Sequence, residues 1–188
     1  MRFVNPGNEP AMIHGHATVY LELLQAHPEI AEVVIPIGSG SGAAGACLVR
    51  DVIAPHVRII GVQAVGAPAA YESWVGEAEV SREANTRVSG LATGCGFATP
   101  QSVLRGSRGT AGNVGLAAFE LVPDDAIDDA AHLLATHAHL LPEGAAAASL
   151  AGLRARQERD GEAQGGSVAV IVTSGNVSTD EWKRLASR

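Results

Sequence analysis

Short runs of consecutive apolar residues alternate along this chain with stretches in which apolar residues recur every three or four positions. Val33-Val34-Ile35-Pro36-Ile37 is too short for a helix, is rich in β-branched side chains and has no polar face, which predicts a strand buried on both sides. Residues 57–63, 118–122 and 167–173 repeat that pattern. Between them the period changes. Residues 18–26 put Val19, Tyr20, Leu23 and Leu24 on one face with Glu22 and Gln25 opposite, residues 43–53 predict a helix of small side chains, and Pro55 ends it. Asp124 or Asp125 is placed to cap a helix carrying Ile127, Ala131 and Leu134 on one side. A further helix runs from Pro142-Glu143-Gly144 to about Arg156, and residues 180–186 predict a short closing helix. Strands alternating with helices predict an α/β fold: one domain over residues 1–188, with an open, twisted, mostly parallel sheet and helices on both faces.

Three stretches resist this reading. The first seventeen residues show no periodicity and carry the turn-rich Asn5-Pro6-Gly7-Asn8-Glu9-Pro10. Across residues 64–115 glycine and proline recur; Tyr71 to Trp74 predicts one helical turn and Val88-Ser89-Gly90-Leu91-Ala92 a short extended piece. Residues 157–166 read as a polar linker.

The first strand runs into Gly38-Ser39-Gly40-Ser41-Gly42 before helical character resumes. With no side chain larger than a hydroxymethyl, such a loop lets backbone N–H groups converge on an anion, and the following helix end adds partial positive charge. The stretch reads as a phosphate cradle. Thr173-Ser174-Gly175-Asn176 follows the last strand, and ligands of such sheets bind beyond the carboxyl ends of strands. Other readings stay open at this point. Gly40, Gly42 and Gly45 have the spacing of a dinucleotide-binding fingerprint, but the acidic residue wanted about 20 positions on is replaced by Gln63. A nucleotide-triphosphate loop fails for want of Lys-Ser/Thr after the glycines, and a tight turn without a ligand is the plain structural reading.

Charge narrows the partners. A net charge of −7 and a pI near 5.4 disfavour nucleic acid and anionic membranes, leaving a small molecule as the expected partner. Cys47 and Cys95 stand far apart in no metal-like spacing, and no run approaches the length of a membrane span. These features lead us to expect reduced thiols, no membrane association and a cytoplasmic location. Of thirteen basic residues, the only lysine is Lys183.

Several motifs in order resemble the threonine/serine dehydratase branch of the fold-type-II pyridoxal-phosphate enzymes. Residues 36–45 are similar to that family's glycine-rich phosphate loop. They are followed by Ile60-Gly61-Val62-Gln63, Gly66-Ala67-Pro68-Ala69, Tyr71-Glu72-Ser73-Trp74, Ser89-Gly90-Leu91-Ala92, Leu141-Pro142-Glu143-Gly144-Ala145 and Val172-Thr173-Ser174-Gly175-Asn176-Val177. Residues 10–18 resemble the piece that precedes the second half of the family's large domain.

The resemblance implies pyridoxal 5'-phosphate as cofactor and a small amino acid as substrate. It implies that Gly38, Ser39, Gly40, Ser41 and Gly42 hold the phosphate, that Gly90 lets backbone lie against the ring, that Glu143 stands near the ring, and that Thr173 faces the pyridine nitrogen. Glu143 also reads as an ordinary carboxylate at a helix start. Some members carry a divalent metal on carboxylates where Gln63 and Ala69 stand here, so no metal is expected. The family's catalytic lysine and its substrate-carboxylate loop match no segment of this chain. Lys183 reads as a surface residue, so no catalytic residue is assigned and the isolated chain is expected to be inactive. His14, His16, His132, His137 and His139 offer no substitute.

The implied function is β-elimination from a hydroxy amino acid, giving a 2-oxo acid and ammonia. Its cofactor-cradling part would lie here, and the remainder would come from elsewhere. We therefore expect an oligomer or a complex with a chain supplying the other lobe. The alternatives are a non-catalytic phosphate-ester-binding or regulatory subunit, and a dinucleotide-binding domain.

Overall fold

A computed structural model of the protein describes residues 4–5, 7–106, 114–161 and 166–186. Four strands, β1 (Ile30–Pro36), β2 (Arg58–Ala64), β3 (Ala118–Val122) and β4 (Ser167–Val170), form one sheet in the order β3-β2-β1-β4. All three pairings are parallel. The helices are α1 (Pro10–Ala26), α2 (Ser41–Ile53), α3 (Ala69–Gly76), α4 (Ala98–Leu104), α5 (Asp124–His137), α6 (Gly144–Asp160) and α7 (Thr179–Ala186), with a 3-10 turn at Ser89–Leu91.

The strands lack a polar face because both faces are covered. Val33 and Ile35 of β1, Ile59 of β2 and Phe119 of β3 pack with Ile13, Tyr20, Ala44, Cys47 and Leu104 from α1, α2 and α4. The alternate positions, Val34, Ile60, Val62 and Val122, pack with Ile127, Ala131, Ala147 and Ala148 from α5 and α6. Each fully buried Val or Ile contributes about 1.5–3 kcal/mol relative to exposure. Small residues let the helices sit close. A Cβ on Gly45 of α2 would stand 2.8 Å from Ala17 N and 2.9 Å from Ile13 O, so α1 and α2 touch backbone to backbone there.

Topology decides where a ligand can enter. The chain passes from β1 through α2 to β2, and through α3 and α4 to β3. It then returns by α5 and α6 to β4 on the far side of β1. The strand order thus reverses between β1 and β4, and the loops leaving their carboxyl ends diverge. That divergence is the crevice in which open α/β sheets bind ligands.

Several boundaries differ from the sequence reading. The first helix begins at Pro10, not Thr18: proline suits a first helical position, and Ile13, Ala17, Tyr20 and Leu24 share the face that meets α2. His14, Gly15 and His16 interrupt the apolar signal without breaking the helix. Within residues 88–92 the chain forms the 3-10 turn Ser89–Leu91, not an extended piece. Residues 98–104, within the stretch left undrawn, form α4. The α5 N-cap is Pro123, because the Asp124 carboxylate is turned aside to accept from Thr86 Oγ1 (2.7 Å) and Arg87 N (2.9 Å). The helix of α6 continues to Asp160, into the segment read as linker; residues 162–165 of that segment lie outside the described residues. Strand pairing stops at Val170, after which Ile171 N still donates to the sheet, to Val34 O (3.0 Å).

Candidate cofactor site

Beyond β1, Ile37 N–H donates to Val62 O (2.7 Å), and the backbone then leaves the sheet through Gly38-Ser39-Gly40. Gly40 is the N-cap of α2 at φ +91°, a left-handed conformation that only glycine adopts without strain. Ala44 N is bonded to Gly40 O at 2.9 Å, so the amides of Ser41, Gly42 and Ala43 precede the first helical bond and have no helical acceptor. The Ser39 and Ser41 hydroxyls lie 3.1 Å apart over the same turn. A helix start of this kind concentrates N–H donors and positive potential at one place.

Two other loops close on it. A Cβ on Gly38 would stand 2.7 Å from Gly90 O, and a Cβ on Gly90 would stand 2.6 Å from Ala145 Cβ. Gly90 therefore lies wedged between the β1 loop and the start of α6, and both contacts need glycine. Thr173, exposed just past β4, faces the same space. Together with Gly38 to Gly42, Gly90 and the apolar Ile35, Ile171 and Val172, it lines a cavity of about 530 Å³. That volume is within the range of small-molecule sites.

Glu143 is half-buried and stands outside the cavity wall, with Oε1 3.8 Å from where a Gly90 Cβ would be. It does not cap α6 with its side chain; Glu181 Oε1 takes the Gly144 N–H instead, at 2.7 Å. The carboxylate is thereby left facing the back of Gly90. A second cavity, about 260 Å³, opens at the opposite end of the strands and is lined by Glu32, Arg58, Arg156 and Asp160. Its charges answer one another, since buried Glu32 pairs with both Arg156 and Arg58, so it is a structural ion-pair cluster.

The remaining sequence-identified residues lie elsewhere. Lys183 is on α7 with its side chain 72% exposed, 3.6 Å from Asp180. Gln63 is fully buried and its Oε1 accepts from Tyr71 N (3.1 Å), so it does not reach the crevice; Ala69 is buried in packing. Among the described residues no group of three or more His, Cys, Asp or Glu side chains is placed to hold a metal ion. His132 is bonded to Leu185 O and His137 to Thr136, both away from the cavity.

Sequence reasoning missed two polar residues of the wall, His16 and Tyr20 of α1. Their four-residue spacing is a helical signal, which the irregular reading of residues 1–17 concealed.

Residues 1–175 match the model of the family described as "Pyridoxal-phosphate dependent enzyme". The chain belongs to this family. It is 27% identical over 199 residues to an L-threonine ammonia-lyase of Thermotoga maritima, covering 99% of this chain and 44% of that protein. It is 30% identical over 180 residues to a beta-hydroxyaspartate dehydratase of Paracoccus denitrificans, covering 95% and 53%. Among solved structures, maize serine racemase superposes with a TM-score of 0.84 at 25% identity, over 98% of this chain and 56% of that one. The processed form of threonine deaminase isoform 2 from Solanum lycopersicum gives 0.87 at 23% identity, over 100% and 49%, and shows the shared fold. The chain thus spans about half the length of these relatives.

This pyridoxal-phosphate family member has a cradle that fits the cofactor its family implies. A phosphate monoester needs several N–H donors at close range, and the Gly38 to Gly42 turn leads into the Gly42 and Ala43 amides, which have no helical acceptor, and into the Ser41 amide, which has only a long 3.5 Å contact to Ser39 Oγ.

Proposed function

We propose that this chain is the cofactor-cradling part of a pyridoxal-phosphate-dependent ammonia-lyase acting on a hydroxy amino acid such as threonine or serine. The observation that carries the reading is the meeting of the glycine loop, Gly90 and Thr173 around one cavity at the reversal of strand order. When bound, pyridoxal phosphate supplies an electron sink for bonds at the α-carbon of an amino acid. The chain's own residues bind and orient. The amides and hydroxyls of residues 38–42 hold the phosphate. Gly90 would offer backbone to the ring, and its lack of a side chain lets that backbone sit close against Ala145 of α6. Thr173 would face the ring nitrogen with a neutral hydroxyl, which would not fix a proton there as a carboxylate would. Glu143, behind Gly90, contributes negative charge at the edge of the site.

The cavity wall contains no lysine, and the chain's single lysine is turned to solvent on α7. We infer that the lysine which bonds the cofactor and moves the α-proton comes from outside these 188 residues. Val19, Leu140 and Leu141 leave 51%, 46% and 44% of their surfaces exposed near the carboxyl ends of the strands, an apolar rim that favours association with another copy or with the remaining lobe. The reading includes a cytoplasmic location, and among the described residues no helix is long and apolar enough to cross a membrane.

The test is borohydride reduction of the purified chain in the presence of pyridoxal phosphate, followed by intact mass, alongside release of 2-oxobutanoate from threonine. The expected result is reversible cofactor binding, no stoichiometric adduct and no turnover above background. A stoichiometric adduct on Lys183 with robust 2-oxobutanoate release would overturn the placement of the lysine. Absence of cofactor binding would overturn the reading itself.

A further inference from the structure

We propose that Tyr20 belongs to the anion site, its hydroxyl donating a hydrogen bond to the phosphate group seated against the amino end of α2. The inference rests on the cofactor reading given above and adds a residue to it. Tyr20 lies mid-way along α1, and its ring is packed in the core with only 3% of the residue exposed. A phenol this deeply buried ordinarily has a partner for its hydroxyl. Among the described residues Tyr20 makes no hydrogen bond, yet its side chain lines the 530 Å³ cavity.

Position explains what the partner is. The hydroxyl oxygen is 3.5 Å from where a Cβ of Gly42 would stand, beside the first turn of α2, where the Gly42 and Ala43 amides have no helical acceptor. Burial, and after it the neighbouring Cys47 thiol, hold the phenol proton well above its ordinary pKa, so the group stays a neutral hydroxyl with a proton to give. Donors therefore converge from two helices: the α2 amides and serine hydroxyls on one side, the phenol on the other. Among the described residues the cavity wall holds no Asp or Glu to accept from them. The acceptor must arrive with the ligand, and a phosphate monoester has oxygens enough for both sets. A Cβ at position 42 would make ordinary van der Waals contact with the phenol oxygen, so the approach rests on the packing of α1 against α2.

The test compares the purified chain with Tyr20→Phe, which keeps the ring and removes only the hydroxyl. Pyridoxal phosphate and inorganic phosphate are the probes, read by binding titration and by thermal unfolding with and without ligand. The variant without ligand is expected to unfold at the same or a higher temperature, because it no longer buries an unpaired hydroxyl. Its dissociation constant for pyridoxal phosphate is expected to rise about ten-fold or more, the effect of losing a hydrogen bond to a charged group. Competition by inorganic phosphate should weaken in parallel. Equal affinities for the two proteins would overturn the role of Tyr20 and leave the cofactor reading standing. A lowered unfolding temperature in the absence of ligand would make the hydroxyl a fold-stabilising group and overturn it too. If the unsubstituted chain binds no pyridoxal phosphate, both readings fall together.

Discussion

At Gly38 one hydrogen atom in place of a methyl group lets the β1 loop rest on the Gly90 carbonyl. A Cβ there would meet that oxygen at 2.7 Å, and backbone on both sides leaves little room to yield. Gly38→Ala is expected to destabilise the fold by about 1–3 kcal/mol, read by chemical denaturation, and to weaken pyridoxal-phosphate binding. Gly15 of α1 makes the contrasting case, since a Cβ there meets nothing within 4 Å; Gly15→Ala should stabilise by about 1 kcal/mol through helix propensity alone. Burial pushes the Cys47 thiol from its ordinary 9.0 up to about 12. The unfolded chain gives up that proton first, so the stability this residue contributes is full below pH 9.0 and is lost as the pH rises toward 12. The same burial predicts that a soluble alkylating reagent at neutral pH labels half-buried Cys95 and spares Cys47 until the chain unfolds; equal native-state labelling of the two would contradict it. Gly38 to Gly42 and Thr173 could be singled out in the sequence because glycine runs and strand ends carry local signatures, whereas Gly90 and Glu143 came only with the family resemblance. Tyr20 could not be singled out, because a tyrosine on an apolar helix face reads as core, and only the packing of α1 against α2 brings its hydroxyl to the cradle.

Among the elements, the strands were legible to within a few residues, since consecutive β-branched residues buried on both faces leave few other choices. The helices that escaped notice depend on tertiary contact. The start of α1 is stabilised by backbone packing on α2 at Gly45, which no local pattern announces. Gly45→Ala is expected to push α1 outward and lower the unfolding temperature by several degrees, given about 2–4 °C per kcal/mol for a chain of this size. An unchanged unfolding temperature would mean that α1 is not held by that contact. The segment before the 3-10 turn is fastened differently. The Asp128 carboxylate of α5, fully buried, accepts from Arg87 ahead of the turn at 2.7 Å and from Arg184 of α7 at 3.0 Å. Asp128→Asn should therefore loosen both the loop carrying Gly90 and the closing helix. Faster hydrogen exchange confined to those two segments is the expected signature, and unaltered exchange there would remove Asp128 from this role.

Over the whole molecule, the reversal of strand order between β1 and β4 gathers three loops distant in sequence into one crevice. The alternation of strands and helices made that class of fold readable. The ordering of the sheet was not, because each strand is equally apolar and nothing local says which side of β1 the last one joins. The exposed Val19, Leu140 and Leu141 lead us to expect a scattering mass in solution above the 19.2 kDa of one chain; a monodisperse monomer would show that this rim needs no cover. That the Gly38 to Gly42 turn is built for a phosphate ester can be checked by calorimetric titration of the purified chain with pyridoxal phosphate and with pyridoxal. Saturable binding of one pyridoxal phosphate per chain, with pyridoxal binding far more weakly, is the predicted result. Equal binding of the two, or binding of neither, would contradict it.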